Sequence, residues 1–497
     1  MRNVPRSLLL ITIDCFRADH AGFLGYAIPT TPFLDSLARE SFVFKNAIAS
    51  GVPTYYSLPA LLASRYPLSL GRDVVGIAPG ENTIATELQA CGFRTAAFAA
   101  ANPYVSAEFG YDQGFETFSD FLSGTGVNFA TEGRPSGTGF RSSANRLLSQ
   151  ACHRVPLAGA AYDEAYFRYC QKISTSAQET LEDLRKFPAA DGVVDRAIAW
   201  IEQDSTRPFF LWLHLMDPHG PYYPRAQALE AMRQGGCSAA EARYANSYWA
   251  RGDLGAERLR KQRERIIELY DAGIWWADQQ IRRLAERLSE LKYWEQCAVA
   301  VTADHGEEFL DHGGRFHTPL HLHEELVHVP LLLRVPGMSE RSHVDAPFGL
   351  IDLAPTLLDV LDMPPPASFR GRSWWRDLKN GRSPVRPVFT ESVYGCSNPL
   401  DREKRFAPRL LSARKGSYKL IVNFASGMDE LLDLDADPKE LNPIVPGAAN
   451  EIRKELLEMA KQHIEKSRKS SDYDLRLSAQ ARELRVRWER ESGNRPN

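Results

Sequence analysis

Three apolar stretches of the chain end on residues that can bind a metal or move a proton. LLLITI (8–13) runs into Asp14. CAVAVTA (297–303) runs into Asp304 and His305. PFFLWLHLMDPHGPY (208–222) carries His214, Asp217 and His219 near its end. Taken singly, each has an ordinary reading. An aspartate after a strand forms a turn or caps a helix, and a strand histidine is most often a satisfied core residue. Three such ends in one chain shift the balance, because ligands of open α/β sheets sit at the carboxyl ends of the strands. Asp14, Asp304 and His305 would offer one divalent cation a mixed oxygen and nitrogen set. His305 leans that set towards Zn or Mn, with Ca or Mg also allowed. A position remains for an oxygen nucleophile. In SGVPTYYSLPALLASRYP (50–67), Thr54 stands where an apolar helix should begin. On its own it reads as a helix cap. Beside a cation its hydroxyl loses its proton more easily, and a helix N-terminus favours an incoming anion.

These residues need a sheet to bring them together, and the chain supplies one. Short apolar runs at 8–13, 95–100, 208–216, 297–302 and 329–334 alternate with helix-period segments at 32–41, 84–91, 192–203, 266–294 and 353–361. The alternation predicts an α/β fold with a large, mostly parallel central sheet flanked by helices. The runs are apolar on both faces, as strands covered on both sides should be. Residues 123–191 and 222–255 interrupt the rhythm and read as insertions. The first begins Gly-, Ser- and Thr-rich and either shapes a substrate entrance or is a surface loop. The expected division is a catalytic domain over 1–383, a smaller α+β subdomain with a short antiparallel sheet over 384–450, and a charged helical tail over 451–497. That tail reads as a solvated helix pair.

Bulk properties narrow the function classes. The 497 residues carry 60 basic and 63 acidic side chains, a net charge of -3 that gives no reason to expect a nucleic-acid partner. No apolar run reaches the roughly 18 residues of a membrane span, and the one at 8–13 is too short for a signal segment. Seven cysteines, an odd number with no C-x-x-C pair, suit a reducing compartment. A cytoplasmic protein is expected; its oligomeric state is open.

Together LLLITIDCFRADHAGFLGY, LPALLASRYP, RPFFLWLHLMDPHGPYYP, VTADHGEEFLDHG and HEELVHVPLLLRVPG resemble the sulfatase family of the alkaline-phosphatase-like superfamily. The resemblance runs over about 7–441. It implies a metal held by Asp14 and by the Asp304–His305 pair. It implies that His219 contacts the sulfate or phosphate group, with His214 as a companion. Counting back from Arg65-Tyr66-Pro67, it puts Thr54 at the nucleophile position. The departures carry information. Sulfatases use Cys or Ser in C/S-x-P-x-R, converted to formylglycine; here the five residues are Thr54-Tyr55-Tyr56-Ser57-Leu58, so Cys, Pro and Arg are all replaced. Cys15 stands where many members have another metal-binding aspartate, and is expected to be a buried apolar cysteine. The missing arginine leaves Arg17, Arg315 and His317 as candidates to hold the anion.

The resemblance therefore implies a metal-dependent hydrolase of a sulfate or phosphate ester. A phosphate mono- or diester is preferred, because threonine lacks the second hydroxyl that lets formylglycine expel sulfate. The substrate would be a small-molecule, saccharide or lipid-head-group ester. Two alternatives are a transferase of phosphoethanolamine or phosphoglycerol type and an inactive binding protein on the same fold.

Overall fold

The computed structural model describes residues 4–122, 152, 156–174, 180–204, 206–232, 236–338, 342–469 and 473–491. The Gly- and Ser-rich stretch 123–139, read above as the start of an insertion, lies outside them. Among the described residues the main sheet runs, in spatial order, Ser342–Val344, Phe42–Ile48, His328–Arg334, Cys297–Ala303, Ser7–Ile13, Phe209–Leu215, Arg94–Ala99 and Thr117–Ser119, with Phe348–Gly349 also pairing to Phe42–Ile48. Ser7–Ile13 is central and lies parallel to both Cys297–Ala303 and Phe209–Leu215. His328–Arg334 is antiparallel to its two neighbours. The fold is thus mixed α/β with a mostly parallel sheet, as the alternation predicted.

Register carries the chemistry. Ile13 pairs with Leu215 on one side and Ala303 on the other, so Asp14, Met216 and Asp304 leave the sheet at the same level. All three strands are buried throughout. Helices pack on the sheet, among them Ala190–Glu202 and the long Ala256–Glu290. Their apolar side chains join the strands in one core that includes Trp212, Trp249 and Tyr270.

A separate antiparallel sheet, Val388–Val393, Arg409–Lys415, Tyr418–Asn423 and Met428–Asp433, forms the smaller unit. Ile48, Val52, Leu322 and Leu326 from the larger unit share an apolar cluster with Val388, Leu410 and Leu432. The tail departs from expectation. Helix Asn450–Lys469 lays Leu456 and Ala460 against Leu411, Leu420 and Leu431 of the small sheet. Helix Tyr473–Glu491 places Ala479 against Leu70, Val74 and Ala78. Each presents an apolar stripe that its many charges obscure in the sequence, so the tail is packed rather than solvated. Among the described residues no helix is long and apolar enough to cross a membrane.

Candidate active site and metal centre

Thr54 is the first residue of helix Thr54–Ala63, and Pro53 is its N-cap. The Thr54 hydroxyl therefore does not cap the helix. Its Oγ1 lies 3.1 Å from His305 Nε2 and 3.4 Å from Asp14 Oδ2. Three turns bring these groups together. After strand Ser7–Ile13, the Asp14 amide donates to the Leu215 carbonyl, and Cys15 takes a left-handed φ of 61°. The Tyr270 hydroxyl pins that turn, donating to the Cys15 carbonyl at 2.7 Å and accepting from the Arg17 amide at 2.9 Å. After strand Cys297–Ala303, Asp304 Oδ1 accepts from the Cys15 and His305 amides. Ser57, one helical turn beyond Thr54, donates to the Asp304 carbonyl at 2.5 Å. Asp14, Asp304 and His305 are fully buried.

The hydrogen bonds fix which ring nitrogens face inward. His305 Nδ1 sits 2.8 Å from the Gly306 carbonyl, which can only accept, so Nδ1 carries the proton and Nε2 presents a lone pair to Thr54. His214 Nδ1 meets the Thr12 hydroxyl at 2.8 Å. Thr12 gives its own proton to the Leu213 carbonyl, so His214 donates there and its Nε2 points at Asp14 Oδ2, 3.3 Å away. That leaves an unusual gap. His214 Nε2 and Asp304 Oδ2 are buried without a hydrogen-bond partner, and Asp14, His214 and Asp304 offer donor atoms all within 4.8 Å of one another. Burial would lower the His214 pKa, but Asp14 and Asp304 raise it; two buried carboxylates with too few donors between them are costly unless positive charge lies among them. Two carboxylates and imidazoles of this kind fit a divalent ion. His214 thus belongs to the carboxylate cluster, whereas the sequence suggested substrate contact.

Electrostatics agree. Burial alone would raise the Asp14 pKa, but the imidazoles of His219, His214 and His305 lower it well below the usual carboxylate range to the extent that they carry a proton. The Cys15 thiol is pushed up by burial and by Glu307, Asp14 and Asp304. It stays protonated and donates to Asp14 Oδ1 at 3.0 Å. Cys15 is buried as expected, but it serves the polar cluster instead of an apolar core.

The remaining predicted residues divide. The His219 ring lies 5.0 Å from the His317 ring, which lies 4.9 Å from that of His305. His219 Nδ1 is bound to the Gly220 carbonyl at 2.6 Å. Burial lowers its pKa, outweighing the pull of Asp14, so the ring is neutral with Nε2 free to accept. His317 is opposite. Burial would lower its pKa, but Glu307, 3.3 Å from Nδ1, together with Asp14 and Asp304 raises it. Arg315 is not brought to the cluster; its guanidinium donates to the Trp249 carbonyl. Arg17 is held by Asp19, Asp311 and the Glu307 carbonyl.

Two neighbours escaped sequence reasoning. Asn102 Nδ2 donates to Asp14 Oδ2 at 3.1 Å. It follows strand Arg94–Ala99, so the same search for polar residues beyond apolar strands would have found it. Glu307, fully buried, joins His317 to the Tyr222 hydroxyl. It lies inside the TADHGEE stretch but was passed over beside the stronger Asp304 and His305.

Comparison with known proteins bears on the family and the fold. The sulfatase family model matches residues 6–363, and a model described as N-sulphoglucosamine sulphohydrolase, C-terminal, matches 313–470. Arylsulfatase K of Bos taurus is 24% identical over 280 residues, covering 50% of each chain; the match thus spans about half the length of that relative. BT4656, solved in complex with its substrate D-glucosamine-2-N,6-O-disulfate, superposes with a TM-score of 0.68 at 18% identity, covering 95% of this chain and 99% of the other. Phosphonate monoester hydrolase of Agrobacterium radiobacter gives 0.61 at 18% identity, covering 96% of each.

Proposed function

Because the chain belongs to the sulfatase family, we propose that it is a metal-dependent ester hydrolase with Thr54 as nucleophile, cleaving a phosphorus ester in preference to a sulfate ester. The observation that carries this reading is the Thr54 hydroxyl, seated at a helix N-terminus within 3.4 Å of both Asp14 and His305. Asp14, Asp304, His305 and His214 would hold one divalent ion, Zn or Mn in preference to Ca or Mg given the imidazoles. When bound, the ion would stabilise negative charge on the nucleophile and on the transferring group.

The chain's own groups divide the work. Thr54 Oγ1 attacks phosphorus, its proton leaving to Asp14 Oδ2. The bond to the leaving oxygen breaks as His317, held cationic by Glu307, gives it a proton. Neutral His219 then takes a proton from water at Nε2; the hydroxide attacks phosphorus, the bond to Thr54 Oγ1 breaks as Asp14 returns its proton to that oxygen, and the proton on His219 passes to His317, whose ring lies 5.0 Å away, to restore the starting state. Threonine has no second hydroxyl on its reacting carbon, so its ester cannot collapse by elimination. Water must displace it at the central atom, which suits phosphorus. Charge narrows the substrate further. With Arg315 and Arg17 engaged elsewhere, His317 and the helix N-terminus are the positive features open to substrate among the described residues, His214 being turned to Asp14. One divalent ion and one imidazolium match a singly charged phosphodiester or phosphonate monoester better than a doubly charged phosphate monoester. The solved relative named a phosphonate monoester hydrolase accords with this.

A panel of 4-nitrophenyl sulfate, phosphate, phosphodiester and phosphonate, assayed with added Zn, Mn, Ca or Mg, tests the reading. Metal-dependent turnover of the diester or phosphonate, abolished in Thr54→Ala, is expected. Full activity in Thr54→Ala would falsify it. Exclusive cleavage of the sulfate would leave the nucleophile standing and reject the phosphorus preference.

A further inference from the structure

Away from Thr54, the segment that follows Asp304 folds into a second cluster of imidazoles. His312 Nδ1 lies 2.6 Å from Glu325 Oε1, and His321 Nδ1 lies 3.8 Å from the same oxygen. His312, His323 and Glu325 offer donor atoms all within 4.8 Å of one another. The His312 and His323 rings stack at 3.7 Å between centroids, and those of His321 and His323 lie 4.6 Å apart. His323 is 6% exposed, and neither of its ring nitrogens has a hydrogen-bond partner; His321 Nδ1 is also buried and unpaired. Two imidazoles with unbonded nitrogens, crowded with a third around one carboxylate that only His312 meets at hydrogen-bond distance, make a poor arrangement for an apolar interior or for mutual hydrogen bonding.

The far sides of the rings explain the arrangement. His312 Nε2 lies 3.1 Å from the Glu440 carbonyl, His321 Nε2 lies 3.1 Å from Glu308 Oε1, and His323 Nε2 lies 3.4 Å from Glu430 Oε2. Each ring thus faces an oxygen acceptor with Nε2 and turns its other nitrogen inward. Metal-bound histidines are held in this way by outer acceptors that fix tautomer and orientation. We propose that His312, His321 and His323, through their Nδ1 atoms, and Glu325 form a second metal site, suited to a four-coordinate Zn-type ion. In such a site the donor atoms stand about 3.3 Å apart; the His312, His323 and Glu325 donors, all within 4.8 Å of one another, would close by at most roughly 1.5 Å, and His321, 3.8 Å from Glu325, would turn in to join them. A cleft of about 970 Å³, lined by His312, Glu325 and Glu440 among others, reaches the cluster and gives an ion a way in. Its donors link separate parts of the chain, which gives the ion a structural role. It ties the 308–325 segment to the small sheet, which supplies Glu430, and to the Glu440 turn. The proposal is independent of the reaction at Thr54.

The test counts metal. The full chain is stripped with chelator, reloaded with Zn²⁺ or Co²⁺, desalted and analysed by elemental mass spectrometry, for the wild type, Asp304→Asn and His323→Gln. Two equivalents are expected in the wild type and one in each variant. The Asp304→Asn protein retains the visible absorption of four-coordinate cobalt, and His323→Gln loses it. Glu308→Gln keeps the second ion with affinity weakened about 10- to 100-fold. If His323→Gln fails to fold, Asp304→Asn decides alone: one residual equivalent supports the site, and none overturns it. Unchanged stoichiometry in folded His323→Gln also overturns it.

Discussion

The two imidazole clusters of this chain meet along one segment yet are arranged for different ends. Around Thr54, the donors come from the ends of three buried strands, and a hydroxyl lies 3.1 Å from His305. Around Glu325, the donors come from a loop and a short turn, and every ring is backed by an oxygen on its outer side. The first pairs carboxylates with a helix N-terminus, where charge must change during a reaction. The second encloses one carboxylate in three imidazoles, where nothing has to change. The lesson is that a histidine-rich set is read by what else faces it, not by the histidines.

The comparison can be broken or sharpened in turn. The largest effect is expected for Thr54→Ala, which should lower kcat by about 10³-fold or more, while Thr54→Ser keeps an oxygen and loses much less. Stopped-time assays on the 4-nitrophenyl panel read both. Next is Glu307→Gln, which removes the charge that keeps His317 protonated. A drop of about 10- to 100-fold in kcat/KM is expected, with metal content unchanged. Loss of metal would instead place Glu307 among the ion's supports.

Smaller effects fall on the second unit, where stability alone should respond. Leu456→Ala leaves a cavity between the tail helix and the small sheet and should cost about 2–4 kcal/mol in denaturant unfolding, with kcat unchanged in the folded fraction. Glu391 lies in the same region, 2.8 Å from His463 and 3.2 Å from Arg409. Burial would raise its pKa, but His463, Arg409 and the Leu68 amide hold it below the usual value. A depressed folded-state pKa stabilises above the unfolded value of about 4.3, and that contribution is lost as pH falls through the folded value. Glu391→Gln should therefore flatten the acid side of the Tm profile and matter least under strongly acid conditions.

How much of this was legible depended on how fully an element is buried. Strands such as Ser7–Ile13 and Cys297–Ala303 are covered on both faces and read as unbroken apolar runs. Phe42–Ile48, equally part of the sheet, was missed because exposed Lys45 and half-buried Asn46 interrupt its run. The long helix begins at Ala256 instead of 266, since its first turns carry almost nothing apolar besides Leu259. In the site, Asp14, His214, Asp304 and His305 were legible because each immediately follows, or lies within, an apolar strand. The destination of Arg315 was not, because a side chain that long is placed by tertiary contacts that spacing does not encode. The cluster around Glu325 was invisible for the same reason: loops fold back by rules that leave no period.

Glu307 and Glu308 are adjacent, yet one serves His317 and the other His321. The segment there is extended, with Glu308–Phe309 pairing to Arg315–Phe316, and successive side chains of an extended segment face opposite ways. The two centres are thus the two sides of one ribbon, one residue out of phase. Deleting Gly306 would bring Glu308 to the place of Glu307, leaving His321 without its acceptor and disturbing both clusters at once. Change in length should be tolerated only at the turn beyond, around Gly313. The length of this stretch is thus constrained by both clusters together.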